Sequence, residues 1–165
     1  MKKPMTIIAL FAVLLFTVSS RSARDLRASK GFAAPELALV NASDSSEMNL
    51  SDIKGRYVLV NFWAAYDAES RIAAHDFDRL AAATDSKRLC LMQINLDRGS
   101  RLFREIVRRD RLNEAQQFKV SARQEADVIR AFNLGSGLQS YLIDPDGEIV
   151  AVNPTPKAVT EAIGS

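Results

Sequence analysis

The middle of the chain alternates between stretches patterned as buried strands and a stretch patterned as a helix. Residues 57–63 are mostly β-branched or aromatic, which predicts a strand buried on both faces of a sheet. Apolar positions between residues 67 and 83 fall at helical spacings, and residues 89–96 form a second apolar run. A strand, a crossover helix and a second strand in this order predict a right-handed parallel unit at the centre of the sheet.

The flanking segments predict three more strands and several helices. An antiparallel hairpin is indicated at residues 141–152, because the Asp-Pro-Asp-Gly sequence at 144–147 fits a type I turn between two apolar runs. Residues 41–47 are rich in Ser, Asp and Asn and are predicted to form a loop. The other predicted elements are a strand around Leu37 and Leu39, a helical turn at 50–55, and helices at 102–111, at 122–133 and after Pro156.

The N-terminus has the pattern of an export signal. Lys2 and Lys3 precede an apolar run over residues 6–18, and small residues follow at 18–20. We therefore expect residues 1–20 to be a signal peptide and the protein to be exported to the periplasm or cell envelope. The alternative is an uncleaved membrane anchor, because three arginines between residues 21 and 27 could hold the run in place.

Two segments follow the predicted signal. Residues 21–34 are polar and basic with small residues, which predicts a flexible leader. Residues 35–165 have the length and composition of one globular domain.

The charge balance argues against a nucleic-acid partner. The chain has 22 basic and 20 acidic residues, and removal of residues 1–20 takes away two lysines and leaves equal numbers. The basic residues are interleaved with acids in the sequence, so we predict no nucleic-acid partner. Contact with a membrane is expected only through the N-terminal segment, if it stays uncleaved.

Three sequence blocks resemble the thioredoxin-like proteins of the TlpA/ResA type, which are grouped with the peroxiredoxin superfamily. The blocks are Ala34-Pro35 with the leucines that follow, residues 50–64, and residues 141–147, and the resemblance extends over residues 31–163. It implies an α/β thioredoxin fold over residues 35–165, with a central mixed sheet of about five strands flanked by helices on both faces. It also implies relatives that are thiol-disulfide oxidoreductases.

The resemblance fails at the position of the family's redox centre. In such proteins the strand ending in Asn-Phe-Trp-Ala leads into a Cys-x-x-Cys pair, but here Asp67 takes the place of the nucleophilic cysteine and Ser70 that of the resolving one. Leu138 stands at the family's cis-proline position, where a trans peptide is expected because a non-proline cis bond costs about 3 kcal/mol. We therefore expect no catalytic residue for disulfide exchange at this site, and no cofactor.

Three functions remain open from the sequence. The first is non-catalytic binding of an envelope protein or peptide, of unknown identity, on a surface made by Trp63, Tyr66, Asp67 and Leu138. The second is thiol-disulfide or antioxidant activity through Cys90, the chain's only cysteine, although its apolar neighbours predict a buried thiol.

The third function is cation binding near the start of the long helix. Candidate ligands are Asp67, Glu69, His75, Asp76 and Asp78. Helical geometry directs these side chains to different sides, so no metal-ligand set is predicted. A hydrolytic pair of Ser70 and His75 is not expected either, since residues five apart on a helix do not normally meet.

Overall fold

The protein is organised around one mixed sheet. The computed structural model describes residues 27–121 and 123–164. Within these residues the strands are β1 (Ala38–Asn41), β2 (Glu47–Asn49), β3 (Tyr57–Trp63), β4 (Leu89–Asn95), β5 (Gln117–Val120), β6 (Ser140–Ile143) and β7 (Ile149–Val152). The helices are α1 (Ala68–Ala83), α2 (Ser100–Arg109), α3 (Glu125–Ala131) and α4 (Pro156–Gly164).

Strand β3 lies near the centre of the sheet, whose order is β2-β1-β5-β4-β3-β6-β7. It pairs in parallel with β4 from Tyr57 opposite Leu89 to Trp63 opposite Asn95, and it pairs antiparallel with β6. Strand β5 is parallel to β4 and antiparallel to β1, while β6 and β7 form the predicted antiparallel hairpin. The predicted α/β thioredoxin fold with a central β3 is thereby confirmed.

The sheet has seven strands, not the predicted five or so. The two additional strands are β2, which begins at the end of the predicted loop, and β5. Both are short, and β5 contains only two apolar residues, Phe118 and Val120. Strand β2 forms because it pairs with β1 across a short turn, and β5 forms because β1 and β4, which are distant in the sequence, bond to its backbone. The local sequence pattern of β5 carries no trace of such long-range pairing.

Apolar side chains pack on both faces of the sheet. On one face, Phe62 of β3, Phe132 at the end of α3 and Tyr141 of β6 form a cluster of aromatic rings 5.0–6.4 Å apart. On the other face, Leu59 packs with Phe77 of α1 and Val159 of α4. The helices therefore cover both faces, as predicted.

The end of the predicted leader is attached to the sheet. The Gly31 and Ala34 amides donate to the carbonyl oxygens of Ile149 and Gly147, at 2.8 and 2.9 Å. Residues 21–26 of the leader and the predicted signal at 1–20 lie outside the described residues. Within the residues that are described, no helix combines the length and apolar character needed to cross a membrane.

Tyr141 is a buried polar group whose hydroxyl is satisfied. Its side chain is fully buried, and the hydroxyl donates to the Phe132 carbonyl oxygen at 2.5 Å and lies 3.0 Å from Gln139 Oε1. Burial raises the pKa of Tyr141 to about 12. The hydrogen bond joins β6 to the end of α3.

Replacing Tyr141 by Phe should destabilise the fold in a pH-dependent way. Loss of the hydroxyl leaves the Phe132 carbonyl without this donor, which should cost about 1–3 kcal/mol of unfolding free energy in urea titrations at neutral pH. Because the pKa of Tyr141 is about 12 in the folded chain and ordinarily about 10, the stabilisation is complete below pH 10. This stabilisation should be lost as pH rises from 10 to 12. The difference in unfolding free energy between wild type and Tyr141→Phe should therefore shrink over this range.

Tyr66→Phe is the matched control, because the Tyr66 side chain is 77% exposed. It should leave the unfolding free energy at neutral pH unchanged. Equal stability of wild type and Tyr141→Phe at every pH would contradict the role given to this hydrogen bond.

Candidate functional site

A groove opens where the carboxyl ends of the parallel strands β3 and β4 meet the chain that enters β6. Ligands in open α/β folds commonly bind beyond the carboxyl ends of the strands. The groove has a volume of about 450 Å³. It is lined by Tyr66, Leu96, Asp97, Arg98, Gly99, Leu102, Glu125, Ile129, Leu134 and Leu138.

The turn between β3 and α1 is held by two of the predicted site residues. Asp67 is the N-cap of α1, and its Oδ1 accepts the Ser70 amide at 2.7 Å. The buried Ser70 hydroxyl donates to the Asp67 carbonyl oxygen at 3.1 Å and accepts the Ala64 amide at 3.3 Å. Asp67 thus satisfies an amide that a helix start leaves unpaired, and the Ser70 hydroxyl ties the first turn of α1 to the end of β3.

Asp97 is a further anchor of this turn that the sequence analysis missed. Its carboxylate oxygens accept the Ala65 amide at 2.9 and 3.1 Å, and Asn95 Nδ2 donates to it at 2.8 Å. The Asp97 carbonyl oxygen accepts Lys119 Nζ at 2.7 Å. The signal that could have found it is an acidic residue directly after the predicted strand, at the edge where β3 also ends.

Lys119 lies in a partly dehydrated environment beside this loop, near charges of both signs. Burial lowers the pKa of Lys119, an effect that the Asp97 and Glu125 carboxylates oppose and the Arg104 guanidinium reinforces. Its Nζ also lies 5.1 Å from the centre of the Phe103 ring. Lys119 therefore ties β5 to the loop after β4.

The structure brings only part of the predicted binding surface together. Tyr66 and Leu138 both line the groove, and Tyr66 is largely exposed. Asp67 is close in sequence but its carboxylate serves the helix cap. The Gly137–Leu138 peptide is trans, as predicted.

Trp63 does not belong to this surface. Its side chain is fully buried, its Nε1 donates to Gln117 Oε1 at 3.2 Å, and its ring packs against Phe103 at 5.8 Å. The prediction that Trp63 borders the surface is corrected for a physical reason. Alternation along β3 directs this residue under α1 and α2, where an indole that has a hydrogen-bond partner is stable.

Cys90 lies on β4, far from the groove. Five residues separate it from Asn95, which corresponds to about 16 Å along the strand. Its side chain is partly buried, and burial raises the pKa of the thiol although nearby Arg56 acts in the opposite direction. A raised pKa lowers the fraction of reactive thiolate at neutral pH.

The candidate cation ligands are not gathered on one point. His75 and Asp76 are about half exposed, with Nδ1 and Oδ1 3.9 Å apart, while Asp78 accepts the Asn113 amide at 3.0 Å. Among the described residues, no group of three or more His, Cys, Asp or Glu side chains is placed to hold a metal ion. Ser70 faces inward and His75 outward, so α1 does not pair them.

Solved structures of thioredoxin-like proteins share this architecture. The thioredoxin domain of a thiol-disulfide oxidoreductase from Bacteroides vulgatus matches with a TM-score of 0.73 and 22% identity, over 83% of this chain and 96% of that one. A thioredoxin-like protein from Parabacteroides distasonis matches with a TM-score of 0.63 and 33% identity, over 67% of this chain and 82% of that one. The fold therefore defines a protein of the thioredoxin-like class.

The sequence match gives the family. Residues 31–152 match the AhpC/TSA family, and the protein belongs to it. The chain is also 26% identical over 147 residues to the thiol-disulfide oxidoreductase ResA of Oceanobacillus iheyensis, covering 87% of this chain and 74% of that protein. The resemblance to thioredoxin-like proteins of the TlpA/ResA type is thus confirmed.

Replacing Asp67 by Ala should destabilise the chain by removing the cap of α1. Removal of the cap leaves the Ser70 amide without its acceptor and should lower the unfolding free energy by about 1 kcal/mol. Asp67→Asn keeps a capping oxygen, so its unfolding free energy should be closer to that of wild type. Chemical denaturation of the three proteins measures this order, and an Asp67→Ala variant as stable as wild type would exclude the capping role.

Proposed function

We propose that this protein is an exported, non-catalytic member of its family, which binds a protein or peptide of the cell envelope in the groove beside Tyr66 and Leu138. The observation that carries the proposal is the start of α1, where Asp67 caps the helix and the buried Ser70 hydroxyl bonds to the Asp67 carbonyl oxygen. The resemblance places these two residues at the positions of the family's cysteine pair. The chain's only cysteine, Cys90, is about 16 Å along β4 from the groove end of that strand. A mixed disulfide at the groove therefore has no sulfur from which to form.

The lining of the groove supports binding. Tyr66 and Leu102 are large apolar side chains that are 77% and 49% exposed, and both line this concavity. Exposed apolar groups gathered in a concave surface are typical of interaction sites. Arg98, Asp97 and Glu125 add one positive and two negative charges, which suits a polypeptide better than a highly charged polyanion.

No observation favours either of the other two functions. Burial and raised pKa oppose a reactive role for Cys90, and the acidic residues of α1 do not converge. Export is proposed from the lysines and apolar run at residues 1–20, which lie outside the described residues.

A disulfide-reduction assay driven by a dithiol tests whether redox chemistry is absent. The wild-type chain should show no turnover above background. Asp67→Cys/Ser70→Cys combined with Leu138→Pro should gain turnover, because it places a dithiol at the start of α1. Cys90→Ala should behave as wild type.

The two variants separate the outcomes of this assay. Turnover by wild type that disappears in Cys90→Ala would overturn the proposal and make Cys90 a functional thiol. Turnover by wild type that persists in Cys90→Ala would show contaminating enzyme, since no other cysteine exists in the chain.

Site-specific photo-crosslinking tests the binding role. A benzoylphenylalanine at position 66, introduced in the producing cell, should give a discrete cross-linked species in the envelope fraction. The same residue at position 72 is the control, because Ile72 is an exposed apolar residue of α1 that does not line the groove. Cross-linking that is equal at both positions, or absent at position 66, would argue against the groove as the binding surface.

A further inference from the structure

Helix α2 carries a basic face that the groove does not use. Six arginines lie between residues 98 and 111, with only two acids among them. At 3.6 residues per turn, Arg101, Arg104 and Arg108 fall within an arc of about 60°. This face is opposite the side chains of α2 that are buried, and all three arginines are exposed.

The three arginines of this face have no acidic partner. Their side chains make no hydrogen bond or ion pair with any residue that the structure describes. Asp110, the acid that follows α2, is occupied by Arg71 at 2.5 Å and by Arg109 at 3.4 Å. Three guanidinium groups spaced one turn apart are thus left with unfilled donors.

A cavity of about 230 Å³ lies directly beside this face. Phe103 and Val107, which belong to the buried side of α2, supply apolar lining, and Arg104 and Arg108 stand at its edge. Ala42 and Glu114 line it from other segments of the chain. The cavity therefore combines apolar walls with two cationic groups and one carboxylate.

The electrostatics of the neighbourhood favour an anionic ligand. Lys119, whose Nζ lies 5.1 Å from the Phe103 ring, is a fourth cation beside α2, although the Asp97 and Glu125 carboxylates act on it more strongly than Arg104 does. Arginine matches the two oxygens of a carboxylate with paired donors. Glu114 can accept a backbone N–H, so a ligand with both carboxylates and amide groups would satisfy the whole rim.

We propose that the face of Arg101, Arg104 and Arg108, together with the adjoining cavity, binds an acidic segment of another protein. Carboxylates of the segment pair with the arginines, and an apolar side chain of the segment enters the cavity between Phe103 and Val107. An anionic lipid surface fits less well, because its headgroup layer would meet the Glu114 carboxylate and leave the recessed apolar walls unfilled. This site is separate from the groove and does not depend on the function proposed for it.

Fluorescence anisotropy with two labelled peptides tests both parts of the site. The probes are a peptide of alternating Glu and Leu and one of alternating Glu and Gly, which have equal length and charge. The full-length chain should bind the Glu-Leu peptide at least tenfold more tightly. Arg104→Glu/Arg108→Glu should lose at least tenfold in affinity, whereas Arg79→Glu/Lys87→Glu, an equal change of charge at exposed positions elsewhere, should not.

Ala42→Phe separates the apolar contribution from the charge. Ala42 is exposed, so a larger side chain should fill the cavity without disturbing the core. This variant should lose the preference for Leu over Gly while still binding the Glu-Gly peptide. Thermal unfolding checks that each variant is folded. If Arg104→Glu/Arg108→Glu is not folded, Arg104→Gln/Arg108→Gln is used in its place.

Equal affinity of wild type for the two peptides would overturn the proposal. An unchanged peptide affinity in the folded variant of Arg104 and Arg108 would overturn it as well. Vesicles of neutral phosphatidylcholine, with and without phosphatidylglycerol, form the second arm. Vesicle binding that needs phosphatidylglycerol and is lost in Arg104→Glu/Arg108→Glu, without binding of the Glu-Leu peptide, would assign the face to a membrane and equally overturn it.

Discussion

The arrangement of this protein depends on a buried polar chain that fixes α1 on the central strands. Asn61 of β3 donates to Gln93 Oε1 of β4 at 3.0 Å, and Gln93 Nε2 donates to the Ala74 carbonyl oxygen of α1 at 2.8 Å. All three residues are 2% exposed or less. An unpaired amide at this depth would cost on the order of 1–3 kcal/mol, so the helix and the two strands are held in one relative position.

That position determines both candidate binding surfaces. Trp63, at the end of β3, extends the polar connections to β5 through Gln117, and its ring supports Phe103 of α2. Helix α2 thereby has the groove on the side of Leu102 and the cavity on the side of Arg104. The two surfaces share one helix, whose buried residues are fixed by the same core.

Local patterns predicted the central elements, and long-range pairing accounts for what they missed. Strand β3, helix α1 and the hairpin of β6 and β7 each have a complete signal in consecutive residues. Strand β5 owes its existence to β1 and β4, and Trp63 is buried because α1 and α2 cover it, which its aromatic character alone could not show.

The candidate site residues also divide into those that the sequence predicted and those that depend on contacts made in the folded chain. The resemblance places Tyr66 beside the start of α1 and Leu138 just before the predicted hairpin, so their proximity was implied by the family's fold. The cationic face of α2 was hidden because acids are interspersed with its arginines in the sequence. In the folded chain Asp110 pairs with Arg71, a residue of another helix 39 positions away, and Arg101, Arg104 and Arg108 lie together on one side of α2.

An aspartate at the start of α1 keeps one property of a cysteine there and removes another. The unpaired amides of a helix N-terminus stabilise an anion, whether thiolate or carboxylate, and Asp67 uses this directly by accepting the Ser70 amide. A carboxylate cannot form the sulfur–sulfur bond that disulfide exchange requires. Asp67 therefore uses the electrostatic support of the helix start without a sulfur atom, which is the combination that the proposed reversible binding needs.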